Sequence, residues 1–185
     1  MRQHIPNFLT FLRIALVPVI IACFFFPSPI SDFWVGTIFI VAAVTDFLDG
    51  YFARILGSHS RLGQFFDPIA DKLLVAVTLF MLAGSGRLHT IHLIPGVIIL
   101  SRELIVSGLR EFLGTLTVPL PVSYLAKWKT GIQMTSLSLI LLTKVSWLLL
   151  PLDTIGIVGL WIAAALTIRT GWDYLRVGLK TLNED

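Results

Sequence analysis

The stretch TDFLDGYFARILGSHSRLGQFFDPIADK, residues 45–72, sets four aspartates between two long apolar runs. Asp46 and Asp49 stand three residues apart, and Asp67 and Asp71 four apart, so at helical period each pair shares one face. A short loop around residues 57–60 turns the chain back and sets the two pairs opposite each other. Four carboxylates near hydrocarbon repel and take up protons unless cations lie among them. Hard oxygen ligands of this kind favour magnesium, manganese or calcium over zinc. Gly50 and Ala53 keep the face beside Asp49 bare, and Gly63 does the same on the opposing helix, so a bulky ligand can approach the backbone.

On either side the sequence is that of a membrane protein. Hydrophobic residues make up 56% of the 185 and charged ones 14%, with a mean hydropathy of +0.87, outside the balance of a soluble domain. A span needs about 20 mostly apolar residues. Segments at roughly 7–26, 33–55, 65–84, 91–112, 124–148 and 154–179 meet that length, separated by Pro27 and Pro29, Gly84 to Gly86, Pro119 with Pro121, and Pro151. The expected fold is therefore an all-α membrane protein, with six transmembrane helices around a polar cavity, as one domain over residues 1–185.

The first segment runs into Pro27-Ser-Pro29 without a small-residue cleavage site, which marks it as a retained span rather than a signal peptide. The single cysteine, Cys23, excludes both a disulfide framework and a cysteine metal site. A net charge of +3 suits an anionic membrane face and is too small to argue for nucleic acid.

With six spans both termini share a side. Twelve of the fourteen lysines and arginines fall there, leaving Arg87 and Lys144 on the other, and the positive-inside rule puts that side in the cytoplasm. Alternating direction then brings the aspartates, the Arg102 to Glu111 stretch, Lys127 and Lys129 to the cytoplasmic half. Charges inside a membrane are expensive and face a cavity or each other. Snorkelling to the headgroups accounts for some of the basic residues. It does not account for four aspartates.

The spacing Asp46-x2-Asp49-Gly50-x2-Ala53-Arg54-x8-Gly63-x3-Asp67-x3-Asp71 resembles the full signature of the CDP-alcohol phosphatidyltransferases. The resemblance implies a six-helix membrane fold, homodimeric, with a cytoplasm-facing cavity holding two divalent metal ions, magnesium or manganese. It implies transfer of a phosphatidyl group from a CDP-lipid to an alcohol, with release of CMP. By the same resemblance Asp46, Asp49, Asp67 and Asp71 are metal ligands, and Asp71 is also the general base. Gly50, Ala53 and Gly63 would line the cytidine site and Arg54 would face a phosphate. Two metals between carboxylates can clamp the attacking and leaving oxygens of a phosphoryl displacement.

The acceptor is read from the later spans. Glu103, Ser107 and Arg110 fall at i, i+4 and i+7 on one face, which predicts that Glu103 braces Arg110 toward a ligand. Lys127 and Lys129 point about 200° apart at helical period, which predicts that one of them enters the pocket. Arg102, Arg110, Lys127 and Lys129 near a metal site suit an acceptor that carries its own phosphate. These stretches, and the opening from Ile5 to Ile14, resemble the phosphatidylglycerophosphate synthase branch, whose acceptor is glycerol 3-phosphate and whose donor is CDP-diacylglycerol. Asn7, Thr10 and Arg13 recur every three residues, a polar stripe expected to close the cavity near the donor. Arg169 is placed either to pair with Asp173 or to touch a headgroup.

Other acceptors within the family, an inositol phosphate, serine or phosphatidylglycerol, share the aspartate signature. A small cation transporter would also use intramembrane carboxylates, but here they gather on one side and no comparable charge crosses to the far half. The expected place is the cytoplasmic (inner) membrane, with membrane lipids as surroundings.

Overall fold

The computed structural model describes residues 4–56, 61–115, 124–145 and 151–183. The described residues form six helices and no strand: α1 (His4–Phe24), α2 (Ile30–Leu56), α3 (Arg61–Gly84), α4 (Thr90–Thr115), α5 (Tyr124–Leu141) and α6 (Leu152–Asn183). The boundaries follow the punctuation in the sequence. α1 stops before Pro27 and Pro29, and α3 stops at Gly84, where the chain turns through Gly86 at φ 66°, a left-handed conformation that glycine adopts without a Cβ clash. α5 is shorter than its hydropathy predicts, ending at Leu141 where turns run through residue 144.

α1 packs on α2 and α3, α5 lies along α6, and α4 packs on α6. Their buried faces meet in one core that includes Ile20, Phe39, Leu74, Leu82, Ile99, Leu137, Leu141 and Leu160. Small residues let α5 and α6 approach. A Cβ on Gly156 would stand 2.9 Å from the Ser136 carbonyl oxygen, and one on Gly159 would collide with the Ser136 hydroxyl. Such close backbone approach is how helices associate where lipid removes the hydrophobic drive between them.

Among the described residues two stretches, Thr90–Gly114 and Leu152–Arg176, are long and apolar enough to cross a membrane on length and composition alone, and Phe8–Phe24 is a shorter apolar helix. Phe80 on α3, Val97 and Leu104 on α4, and Ile162 on α6 lie exposed. Apolar surface this widespread suits a lipid environment rather than water.

One end of the bundle is closed by a polar clamp. Arg87, just past the α3–α4 turn, pairs with buried Asp32 at 2.9 Å and donates to buried Ser31 at 2.8 Å in the first turn of α2. Its guanidinium also lies 4.8 Å from the centre of the Phe24 ring at the end of α1. This ties three chain segments together at the end opposite the aspartates.

Candidate active site

Helix α1 delivers two polar side chains into the aspartate cluster. Thr10, buried, donates to Asp67. Arg13 is fully buried and its guanidinium bridges two helices, pairing with Asp46 of α2 at 2.8 Å and with Asp71 of α3. Asp46 of α2 and Asp71 of α3 are thereby brought to one cation. Asp46 and Asp71 remain partly exposed, with 32% and 43% of their side chains accessible, so their outer oxygens stay open to a ligand.

These carboxylates line one wall of a cavity of about 1800 Å³. Asp46 comes from α2, Asp67, Asp71 and Lys72 from α3, Arg102, Glu103, Ser107 and Arg110 from α4, and Lys127 and Lys129 from α5. The cavity is acidic on the α2–α3 side and basic on the α4–α5 side. Hydrogen bonds across it fix the basic side: Lys72 donates to Ser107, joining α3 to α4, and Lys129 donates to Glu103 at 2.6 Å, joining α5 to α4.

The structure departs from several expectations. Glu103 does not brace Arg110. It pairs with Lys129 of α5, which α6 brings near because both α4 and α5 pack on it, while the Arg110 guanidinium lies 5.4 Å from the centre of the Tyr174 ring on α6. Both lysines, rather than one, line the cavity, Lys129 from a buried position and Lys127 from an exposed one. Arg102 also lines it, and turns partly back to donate to Thr170 of α6 at 3.1 Å. Arg169 and Asp173 are both exposed and form no ion pair with each other. Gly63 is buried in the first turn of α3. Asn7 lies in α1, and Asp49, Gly50, Ala53 and Arg54 in α2, and their side-chain surroundings are outside what the structure describes.

Sequence reasoning placed Arg13 in a stripe but not in the carboxylate cluster. The signal was present: a lone cation inside the run Leu12-Arg13-Ile14-Ala15-Leu16 must find anionic partners or pay heavily for burial. Thr170 and Tyr174 carried no comparable signal.

Among the described residues no three carboxylates, histidines or cysteines close on one point as a metal cluster. The donor chemistry nonetheless fits hard divalent cations. Asp46 and Asp71 share one guanidinium, and Asp67, held by Thr10, lines the same cavity, so three carboxylates meet one buried cation's charge and leave negative charge that further cations would neutralise.

A model of the CDP-alcohol phosphatidyltransferase family matches residues 3–169. Over 178 residues the chain is 45% identical to a CDP-diacylglycerol–glycerol-3-phosphate 3-phosphatidyltransferase of Rickettsia bellii, covering 96% of this chain and 97% of that one. Proteins of the same name show 37% identity in Cereibacter sphaeroides, with each chain covered in full, and 38% in Haemophilus influenzae, covering 98% of this chain and 97% of that one.

Proposed function

The chain belongs to the CDP-alcohol phosphatidyltransferase family, and on that premise we propose that it transfers the phosphatidyl group of CDP-diacylglycerol to glycerol 3-phosphate, giving phosphatidylglycerophosphate and CMP. Full-length relatives carry that activity in their names. The observation that carries the reading is the cavity itself, where Asp46, Asp67 and Asp71 face Arg110, Lys127 and Lys129.

Asp46, Asp49, Asp67 and Asp71 would hold two divalent ions, magnesium or manganese, which when bound neutralise the donor's diphosphate and stabilise the departing CMP. Asp71, partly exposed in the cavity and oriented by Arg13, takes the proton of the acceptor hydroxyl as that oxygen attacks the lipid-bound phosphorus. The bond from that phosphorus to the CMP oxygen breaks, and its electron pair leaves with CMP. The diphosphate bond is the energy source, so no ATP enters. Asn7, Thr10, Gly50, Ala53, Arg54 and Gly63 serve the donor side. Arg102, Arg110, Lys127 and Lys129 hold the acceptor's phosphate by charge-assisted contacts.

The same reading makes all six helices transmembrane spans of a single domain in the cytoplasmic (inner) membrane, working as a homodimer, with both termini and the cavity mouth facing the cytoplasm. Supporting it are the basic residues gathered at the aspartate end and the Arg87 clamp at the other.

Arg110→Ala, Lys127→Ala and Lys129→Ala test the acceptor assignment. Loss of a charge-assisted phosphate contact costs roughly 1.5–3 kcal/mol, so Arg110→Ala and at least one lysine variant should raise the KM for glycerol 3-phosphate about ten- to a hundredfold while sparing that for CDP-diacylglycerol. An unchanged glycerol 3-phosphate response in all three would contradict a phosphorylated acceptor at this wall.

A further inference from the structure

Two arginines of the cavity rest on one side chain of α6. The guanidinium carbons of Arg102 and Arg110, about two turns apart on α4, each lie 5.4 Å from the centre of the Tyr174 ring. Tyr174 is 6% exposed. One turn earlier on α6, Thr170 accepts a hydrogen bond from Arg102 Nη2 at 3.1 Å. Beside it, a Cβ on Gly171 would stand 2.8 Å from Arg102 Cγ, so glycine leaves the space that the arginine's stem fills. The cavity wall comes from α2 to α5, and these α6 residues stand behind it.

The chemistry of this support is specific. Two guanidiniums brought to one place repel, and a carboxylate between them would hold them at the cost of cancelling their charge. The carboxylate adjacent to Arg102 in sequence, Glu103, is taken by Lys129. An aromatic face attracts both cations through its quadrupole without neutralising either. Arg102 and Arg110 are thus oriented together by a group that takes none of their charge, which suits them to a phosphate dianion.

We propose that Tyr174, with Thr170 and Gly171, is a positioning platform that presents Arg102 and Arg110 as a paired cation and so selects phosphorylated acceptors over neutral alcohols. The inference rests on the acceptor reading above. Tyr174 touches neither substrate in this account. It acts through the two arginines.

The test is steady-state kinetics of the full chain in lipid-containing micelles, with each substrate varied in turn, on Tyr174→Leu, Tyr174→Phe, Gly171→Ala and Arg110→Ala, with thermal unfolding recorded for each. Tyr174→Leu should raise the KM for glycerol 3-phosphate roughly three- to thirtyfold, leaving kcat and the KM for CDP-diacylglycerol at wild-type values. Tyr174→Phe keeps the ring and should restore the wild-type KM. Gly171→Ala, which pushes on the Arg102 stem without touching the ring, should shift the same KM in the same direction, and it carries the test if the leucine variant fails to fold. A raised KM in Arg110→Ala with none in Tyr174→Leu or Gly171→Ala would overturn the platform alone. An unchanged KM in Arg110→Ala would overturn the acceptor reading and the platform with it. A phenylalanine variant as impaired as the leucine one would show that the hydroxyl, not the ring, is what matters, and would overturn the proposal.

Discussion

Lys129 donates to Glu103 across the α4–α5 boundary at 2.6 Å, and both side chains are largely withdrawn from solvent. Removing one partner leaves the other charge buried without its counterion. Glu103→Ala should therefore destabilise the protein by about 3 kcal/mol, read as a lowered unfolding midpoint in detergent. It should also raise the KM for glycerol 3-phosphate, since Lys129 loses the contact that orients it toward the cavity. Wild-type stability and KM together would show that the pair does not order this wall.

Arg13 presents the same logic on the acidic side. Its guanidinium is the cation that joins Asp46 to Asp71 across two helices. Arg13→Met should cost about 3 kcal/mol or more of stability, because it leaves two carboxylates facing each other without their shared partner. Added manganese should recover part of the loss by supplying another cation among the same oxygens. A variant whose midpoint matches wild type with and without manganese would contradict the bridging role.

The clamp at the other end makes a contrasting case. Arg87→Ala breaks the contacts to Asp32, Ser31 and Phe24 far from the aspartates. It should lower stability by about 3 kcal/mol while both KM values stay at wild type. A selective change in either KM would mean that this end communicates with the site.

Asp46→Asn, Asp49→Asn and Asp67→Asn should each abolish turnover in protein that still folds, and excess chelator should do the same to wild type. Asp71→Asn should differ in kind, retaining CDP-lipid binding better than the other three while losing turnover, because a general base acts mainly in the transition state. Donor affinity that collapses with turnover in Asp71→Asn would make that residue chiefly a ligand and move the base elsewhere.

Much of this architecture is legible in the sequence because hydropathy and helix punctuation are local. The prolines after Phe26 and the glycines at 84 and 86 mark the ends of α1 and α3 without reference to any other helix. The carboxylate faces follow from spacings of three and four. What spacing cannot supply is the partner on another helix. Glu103 and Arg110 do share a face, yet the packing of both α4 and α5 on α6 puts Lys129 beside Glu103 and Tyr174 under Arg110. The destination of Arg13 was hidden for the same reason. Its partners lie 33 and 58 residues away, as the numbering of Asp46 and Asp71 shows, and only the packing of α1 on α2 and α3 brings them within reach.

The central claim is that this cavity passes a phosphatidyl group from CDP-diacylglycerol to glycerol 3-phosphate. It is tested most directly by supplying purified protein with CDP-diacylglycerol, magnesium or manganese, and one alcohol at a time from glycerol 3-phosphate, inositol phosphate, serine and phosphatidylglycerol, and measuring CMP release with mass analysis of the lipid product. The account predicts CMP release and phosphatidylglycerophosphate with glycerol 3-phosphate, abolished by chelator, and no turnover with serine. Turnover with serine or phosphatidylglycerol in place of glycerol 3-phosphate would contradict it.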